Sequence, residues 1–134
     1  MLRKMAKEEY LLRLAVLDQE ISKLEQQMQL IEQQILEIQN LKVGLEELEK
    51  SKEKQILTNL GKNIFIKTEI INKDLLVDVG NRTFVKKNIG GALKLIEEQL
   101  SKLTEGKNQV LSKVQEIQQK TGEVIAEAEK TEGK

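Results

Sequence analysis

From Tyr10 onward apolar residues recur in alternating steps of four and three: Tyr10, Leu14, Leu17, Ile21, Leu24, Met28, Ile31, Ile35 and Ile38. Mostly Glu, Gln and Lys fill the gaps. The spacing keeps one apolar seam on one side of a helix and predicts a coiled-coil strand, with 14, 21, 28 and 35 at a and 10, 17, 24, 31 and 38 at d. Lys42 fails at the next a position, and the stripe is expected to shift to Leu41, Leu45 and Leu48, a stammer that overwinds the coil beside Gly44. The last third carries a second seam through Ile89, Leu93, Ile96, Leu100, Leu103, Val110, Val114, Ile117, Val124 and Ala128, broken by Lys107 and Thr121. Asn88 is the expected N-cap, although Gly90 and Gly91 weaken the first turn behind it. Helices over 8–54 and 88–131, joined by a connector, are expected to lie antiparallel.

Between them the period falls from 3.5 to 2. Strands are expected at 55–59, 63–70, 74–79 and 82–86, rich in β-branched residues and separated by Leu60-Gly61-Lys62, Ile71-Asn72-Lys73 and Gly80-Asn81. Gly80-Asn81 suits a two-residue hairpin turn because both residue types tolerate positive φ. Short strands flanked by two helices cannot cover both of their own faces. The segment 55–87 is therefore expected to oligomerise through Ile64, Phe65, Ile66, Ile70, Leu75, Val77, Val79 and Phe84. The fold class is α+β, a long antiparallel coiled-coil hairpin with a four-stranded, two-hairpin segment between its helices, and residues 1–134 form one domain.

Composition narrows the chemistry. The 134 residues hold no Cys, His, Pro or Trp and only three aromatics, while charged residues reach 33%. Thiol nucleophiles, imidazole acid/base catalysis, disulfides and zinc sites built on these ligands are thereby excluded. Gly61-Lys62 lacks the rest of a phosphate loop, since Asn63 stands where Ser or Thr is required and Ile56 where the first Gly belongs. Asn81-Arg82-Thr83 fits the glycosylation tripeptide but reads as a turn. Glu46, Glu47 and Glu49, like Glu97 and Glu98, sit in helical charge patterns. No enzyme, cofactor or metal is expected. Lys+Arg against Asp+Glu counts 9 to 11 over residues 1–60, 6 to 3 over 61–88 and 7 to 8 beyond, so neither a nucleic-acid stripe nor an acidic tail is present. No apolar run is long enough for a membrane span or signal core, which points to a soluble, cytoplasmic chain without nucleic-acid or membrane partners.

Several apolar residues lie off the seams near the chain ends. Leu11, Leu12 and Val16 on the first helix and Ile125 on the second, next to the seam residue Val124, are the candidate partner-binding positions, placed where an antiparallel pair opens.

The run Leu60-Gly61-Lys62-Asn63-Ile64-Phe65-Ile66-Lys67, followed by Leu75-Leu76-Val77-Asp78-Val79-Gly80 and Phe84-Val85-Lys86-Lys87, resembles the alpha-type subunits of the prefoldin family, and the resemblance extends over essentially the whole chain. Two hairpins rather than one point to the alpha type. Gly90-Gly91 depart from the acidic residues with which that family usually opens its second helix. The resemblance implies a hexamer with two alpha and four prefoldin beta-type subunits. It also implies an ATP-independent holdase that captures non-native proteins at its coiled-coil tips and hands them to a group II chaperonin. A structural scaffold or filament subunit is the alternative.

Overall fold

The computed structural model describes residues 2–132, with side chains from residue 7 to residue 130. Met1, Gly133 and Lys134, at the limits of the expected single domain, lie outside the described residues. The elements run α1 (Leu2–Lys50), β1 (Gln55–Gly61), β2 (Ile64–Glu69), β3 (Leu75–Asp78), β4 (Phe84–Lys87) and α2 (Ile89–Glu132). They divide into two compact units, one joining the chain up to Ile35 with that from Lys102 onward, the other comprising Leu36–Ser101.

In the first unit the two helices pack along the heptad seams. Leu14, Leu17, Ile21, Leu24, Met28, Ile31 and Ile35 are all half-buried between exposed neighbours, and across from them Val110 and Ile117 are buried. Both seam breaks on α2 are accommodated. Lys107 is half-buried and its Nζ lies 3.6 Å from Glu32 of α1, while the Thr121 hydroxyl donates to the Ile117 carbonyl one turn back at 2.8 Å. A Lys stem packs as a hydrocarbon while its head reaches a carboxylate at the edge.

The second unit holds the only buried cluster among the described residues, Leu45 of α1 with Ile89, Ala92 and Ile96 of α2, extended by Ile38, Leu48, Leu75, Leu93 and Leu100. The expected stammer falls one step later, with Leu45 buried and Leu48 half-buried on the stripe as expected but Leu41 off it. Lys42 is half-buried at the unshifted a position, whereas Leu41 is 53% exposed, because the Lys42 ammonium forms an ion pair with Glu97 of α2 and its stem fills the seam. That hydrogen bond and the carboxylate's charge hold Lys42 above the ordinary lysine range. Helix α1 is unbroken through Gly44.

The first helix stops at Lys50 instead of running to 54. Ser51 N–H closes the last bond to the Glu47 carbonyl at 2.9 Å, and the Ser51 hydroxyl then accepts from Glu53 N–H at 3.1 Å, a local turn that competes with helix. Lys73, in the link between the hairpins, donates to the carbonyls of Glu49 (3.3 Å) and Ser51 (2.9 Å). A cation thus satisfies acceptors that every helix C-terminus leaves open. At the other junction Asn88 caps α2 as expected, its Oδ1 accepting from Gly91 N–H at 2.7 Å.

The strands form two separate antiparallel pairs, β1 with β2 and β3 with β4. Both turns are centred one residue later than expected. Lys62 and Asn63 (φ 50° and 63°) are the central pair of the first, and Asn81 and Arg82 (φ 52° and 58°) of the second, each preceded by a glycine at positive φ, Gly61 and Gly80. Two successive left-handed residues match the twist of a hairpin. Asn63 and Arg82 are therefore turn residues, and β1 extends to Gly61. Ile70 and Val79 lie one residue beyond β2 and β3.

The hairpins are copies of one another. Residues 59–67 (NLGKNIFIK) align with 78–86 (DVGNRTFVK). Asn59 Oδ1 accepts from Gly61 N–H at 2.8 Å, and Asp78 Oδ1 accepts from Gly80 N–H at 2.9 Å. Register agrees as well: Asn59 opposes Phe65 and Leu57 opposes Lys67, as Asp78 opposes Phe84 and Leu76 opposes Lys86. One short side-chain acceptor folds each turn by the same Asx mechanism.

Candidate functional site

Near the chain ends, within the first unit, the seam opens into a groove of about 610 Å³ lined by Glu9, Leu12, Arg13, Val16 and Leu17 of α1 and by Lys120, Glu123, Val124 and Glu127 of α2. Leu12 is 68% and Val16 53% exposed. Helical periodicity produces this: 9, 12, 13 and 16 share one face of α1, as 120, 123, 124 and 127 share one face of α2, the last set including the seam residue Val124. The floor is aliphatic and the rim charged. Arg13 and Glu9 pair one turn apart at 2.9 Å, which holds the rim without closing the floor. Of the expected binding positions, Leu12, Val16 and Val124 line this groove, whereas Leu11 (58% exposed) and Ile125 (42%) stand on the surface outside it. Leu17 and the five charged rim residues were not among the expected positions. A seam residue reads as core, and only the lining of the groove shows Leu17 to be one of its walls.

In the second unit the strand residues expected to mediate assembly are open to solvent. Ile64, Phe65, Ile66 and Phe84 are 49 to 63% exposed and Val79 52% exposed, while Leu75 and Val77 are half-buried. Leu75 alone among the strand residues joins the buried cluster. The β1–β2 hairpin shows an apolar, β-branched side made of Ile56, Thr58, Ile64, Ile66 and Thr68, stitched by a Thr58–Thr68 hydroxyl contact of 2.6 Å. Exposed Leu57 and Phe65 lie on its reverse side. Such two-faced exposure of an isolated hairpin is stable only when something covers it.

Among the described residues no group of three or more His, Cys, Asp or Glu is placed to hold a metal, and no helix is long and apolar enough to cross a membrane.

Known proteins agree with this architecture. The family model described as Prefoldin subunit matches residues 17–134. "Prefoldin subunit alpha" of Methanobrevibacter smithii is 30% identical over 96 residues, 71% of this chain and 66% of that protein. "Prefoldin subunit alpha" of Archaeoglobus fulgidus is 38% identical over 82 residues, 55% of this chain and 58% of that one. The matched stretch thus spans less than two thirds of either relative's own length. In three dimensions the chain is similar to filamentous PFD from Methanocaldococcus jannaschii, with a TM-score of 0.55 and 22% identity, covering 92% of this chain and 98% of that one, a likeness of fold. Two long helices flanking two antiparallel hairpins, with the family match over nearly all of the sequence, place the chain in the prefoldin family, as an alpha-type subunit.

Proposed function

We propose that this chaperone-type prefoldin subunit acts as an ATP-independent holdase in the cytoplasm, seizing non-native proteins in the groove at its helix ends and passing them to a group II chaperonin. The observation that carries the reading is that groove: an aliphatic floor of Leu12, Val16, Leu17 and Val124 inside a charged rim. An unfolded chain exposes apolar side chains along a solvated backbone, and such a floor takes the former while the rim stays wet. Burying one aliphatic side chain is worth roughly 1.5 to 3 kcal/mol, part of which is spent ordering the client. Binding at one groove is then weak, and useful affinity needs several grooves on one client.

Several grooves require an oligomer. The exposed strand faces, Ile64, Phe65, Ile66 and Phe84 foremost, with Ile70, Leu75, Val77 and Val79, are proposed as the assembly surface toward beta-type subunits, in a particle of two alpha and four beta chains. No catalysis enters this function. The test is co-expression with a beta-type partner, mass measurement of the particle, and light scattering of an aggregating, unrelated protein. Suppression of scattering without nucleotide is expected; a particle of the right mass that leaves aggregation untouched would favour the scaffold reading.

A further inference from the structure

Each unit carries an ion pair across its helices, and the two pairs share a pattern. Lys42, on the seam of α1, faces Glu97 beside the seam of α2, while Lys107, on the seam of α2, lies 3.6 Å from Glu32 beside the seam of α1. Glu32 and Lys42 are ten residues apart, and so are Glu97 and Lys107. Both pairs therefore obey one antiparallel alignment, with the cation on opposite helices. Continued toward the chain ends, the same alignment sets Leu12 against Glu127 and Val16 against Glu123, and all four line the groove described above.

The aliphatic seam alone does not choose that alignment. Apolar burial is non-directional, and a shift by one whole heptad lays apolar positions on apolar positions again, while displacing one helix about 10 Å along the other. The lysines discriminate. Shifted one way, Lys107 would face Gln39 and Lys42 would face Thr104; shifted the other way, Lys107 would find Glu25 but Lys42 only Gly90. Only the observed alignment gives both half-buried lysines a carboxylate, and an ammonium held in a seam without one carries a desolvation cost. We propose that Lys42 and Lys107 are positioning residues that fix the register of the helix pair, and that through it Leu12 and Val16 come to share one groove with Val124. A lysine on a coiled-coil seam lowers stability relative to an aliphatic residue and specifies register in exchange. The register follows from the pairs alone, while its consequence for clients rests on the holdase reading above.

The chain has no cysteine, so crosslinks can report the alignment directly. Full-length chains carrying Val16→Cys with Glu123→Cys, both walls of the groove, report the observed register. Val16→Cys with Glu116→Cys, or with Lys130→Cys, reports the two shifted ones. Each is treated with a short bis-maleimide, and the crosslink within one chain is measured. With both lysines in place only the first combination is expected to react. In a Lys42→Leu, Lys107→Leu background the melting temperature is expected to hold or rise, while crosslinking of a shifted combination increases about tenfold at the expense of the first. Exchanging the charges of both pairs, Lys42→Glu with Glu97→Lys and Lys107→Glu with Glu32→Lys, is expected to restore the single register; a shifted register there would refute the proposal. A leucine background that still crosslinks only between 16 and 123 would overturn it too, whatever its melting temperature. Light scattering of an aggregating protein, with a beta-type partner present and no cysteines introduced, separates register from client capture. Protection lost along with the register supports both. A shifted register at full protection would remove the lysines from any part in client capture, whereas a native chain that protects nothing but crosslinks as expected would sink the holdase reading and leave the lysines setting the register.

Discussion

Asn88 and the two glycines behind it show how far one side chain decides a helix start. The Oδ1 that caps Gly91 sits where a β-carbon on Gly91 would approach to 3.1 Å, while a β-carbon on Gly90 would meet it at an ordinary 3.7 Å. Alanine is the better helix former by up to about 1 kcal/mol. Gly90→Ala is thus expected to stabilise the chain by roughly 0.5 kcal/mol, with Gly91→Ala gaining less because it presses on the cap. Asn88→Ala should cost about 1 kcal/mol. In the Asn88→Ala background Gly91→Ala loses its handicap, so thermal melts of the three single variants and of the two doubles that combine Asn88→Ala with each glycine change should show coupling at 91 and additivity at 90. Equal gains at both glycines in the native background would contradict the capped geometry. Lys62 and Arg82 belong to the same scale. Both are ordinary residues at positive φ, and a non-glycine there gives no local composition signal, which is why the turns read one residue early.

Among the elements the seams were legible almost residue by residue, because a 3.5-residue period is a local property. Their interruptions were not. Lys42 looked like the point where the stripe gives way, and only the opposite helix, bringing Glu97, shows it to be a seam position. Lys107 with Glu32 repeats the arrangement in the other unit, with the cation on the other helix. Reversing one charge by Glu97→Lys is expected to lower the melting temperature, and adding Lys42→Glu to recover most of it; a double variant no better than the single would show the pair to be incidental. Its pH dependence has a definite sign. Lys42 is raised in the folded chain above the ordinary value of about 10.4, so its contribution is complete below that value and lost as pH climbs through the higher folded one. Melts compared with a Lys42→Met variant should differ by a constant amount from pH 7 to 9 and converge only in stronger alkali. The strands were legible from their β-branched alternation, but the repeat of 59–67 in 78–86 was not, since only Gly, Phe and Lys recur identically and the other matches are of type, such as Asn for Asp and Ile for Val. Once the two Asx turns and the two registers are laid together it is plain.

For the whole molecule the decisive quantity is how little the chain buries on its own. Among the described residues few are buried and none has its side chain wholly enclosed, while aliphatic side chains of the strands and of the helix ends stand in solvent. These two exposed sets lie in different units, and they call for different partners: strand edges want strands, whereas a wet-rimmed aliphatic groove suits a partner without fixed structure. Separate surfaces should fail separately. Phe65→Asp or Val77→Asp, each placing a charge where roughly 1.5 to 3 kcal/mol of apolar burial is expected on assembly, should lower the particle mass in sizing experiments while circular dichroism keeps its helical signal. Removing residues 1–16 together with 123–134 takes away Leu12, Val16 and Val124 and most of the groove rim, and should abolish suppression of client aggregation with the number of subunits per particle unchanged. Mixed particles carrying fewer intact ends should lose large clients before small ones, because a long chain draws its affinity from several weak contacts at once. Full protection by the trimmed particle would move client binding onto the strands or the length of the helices and leave Leu12 and Val16 without a role in it.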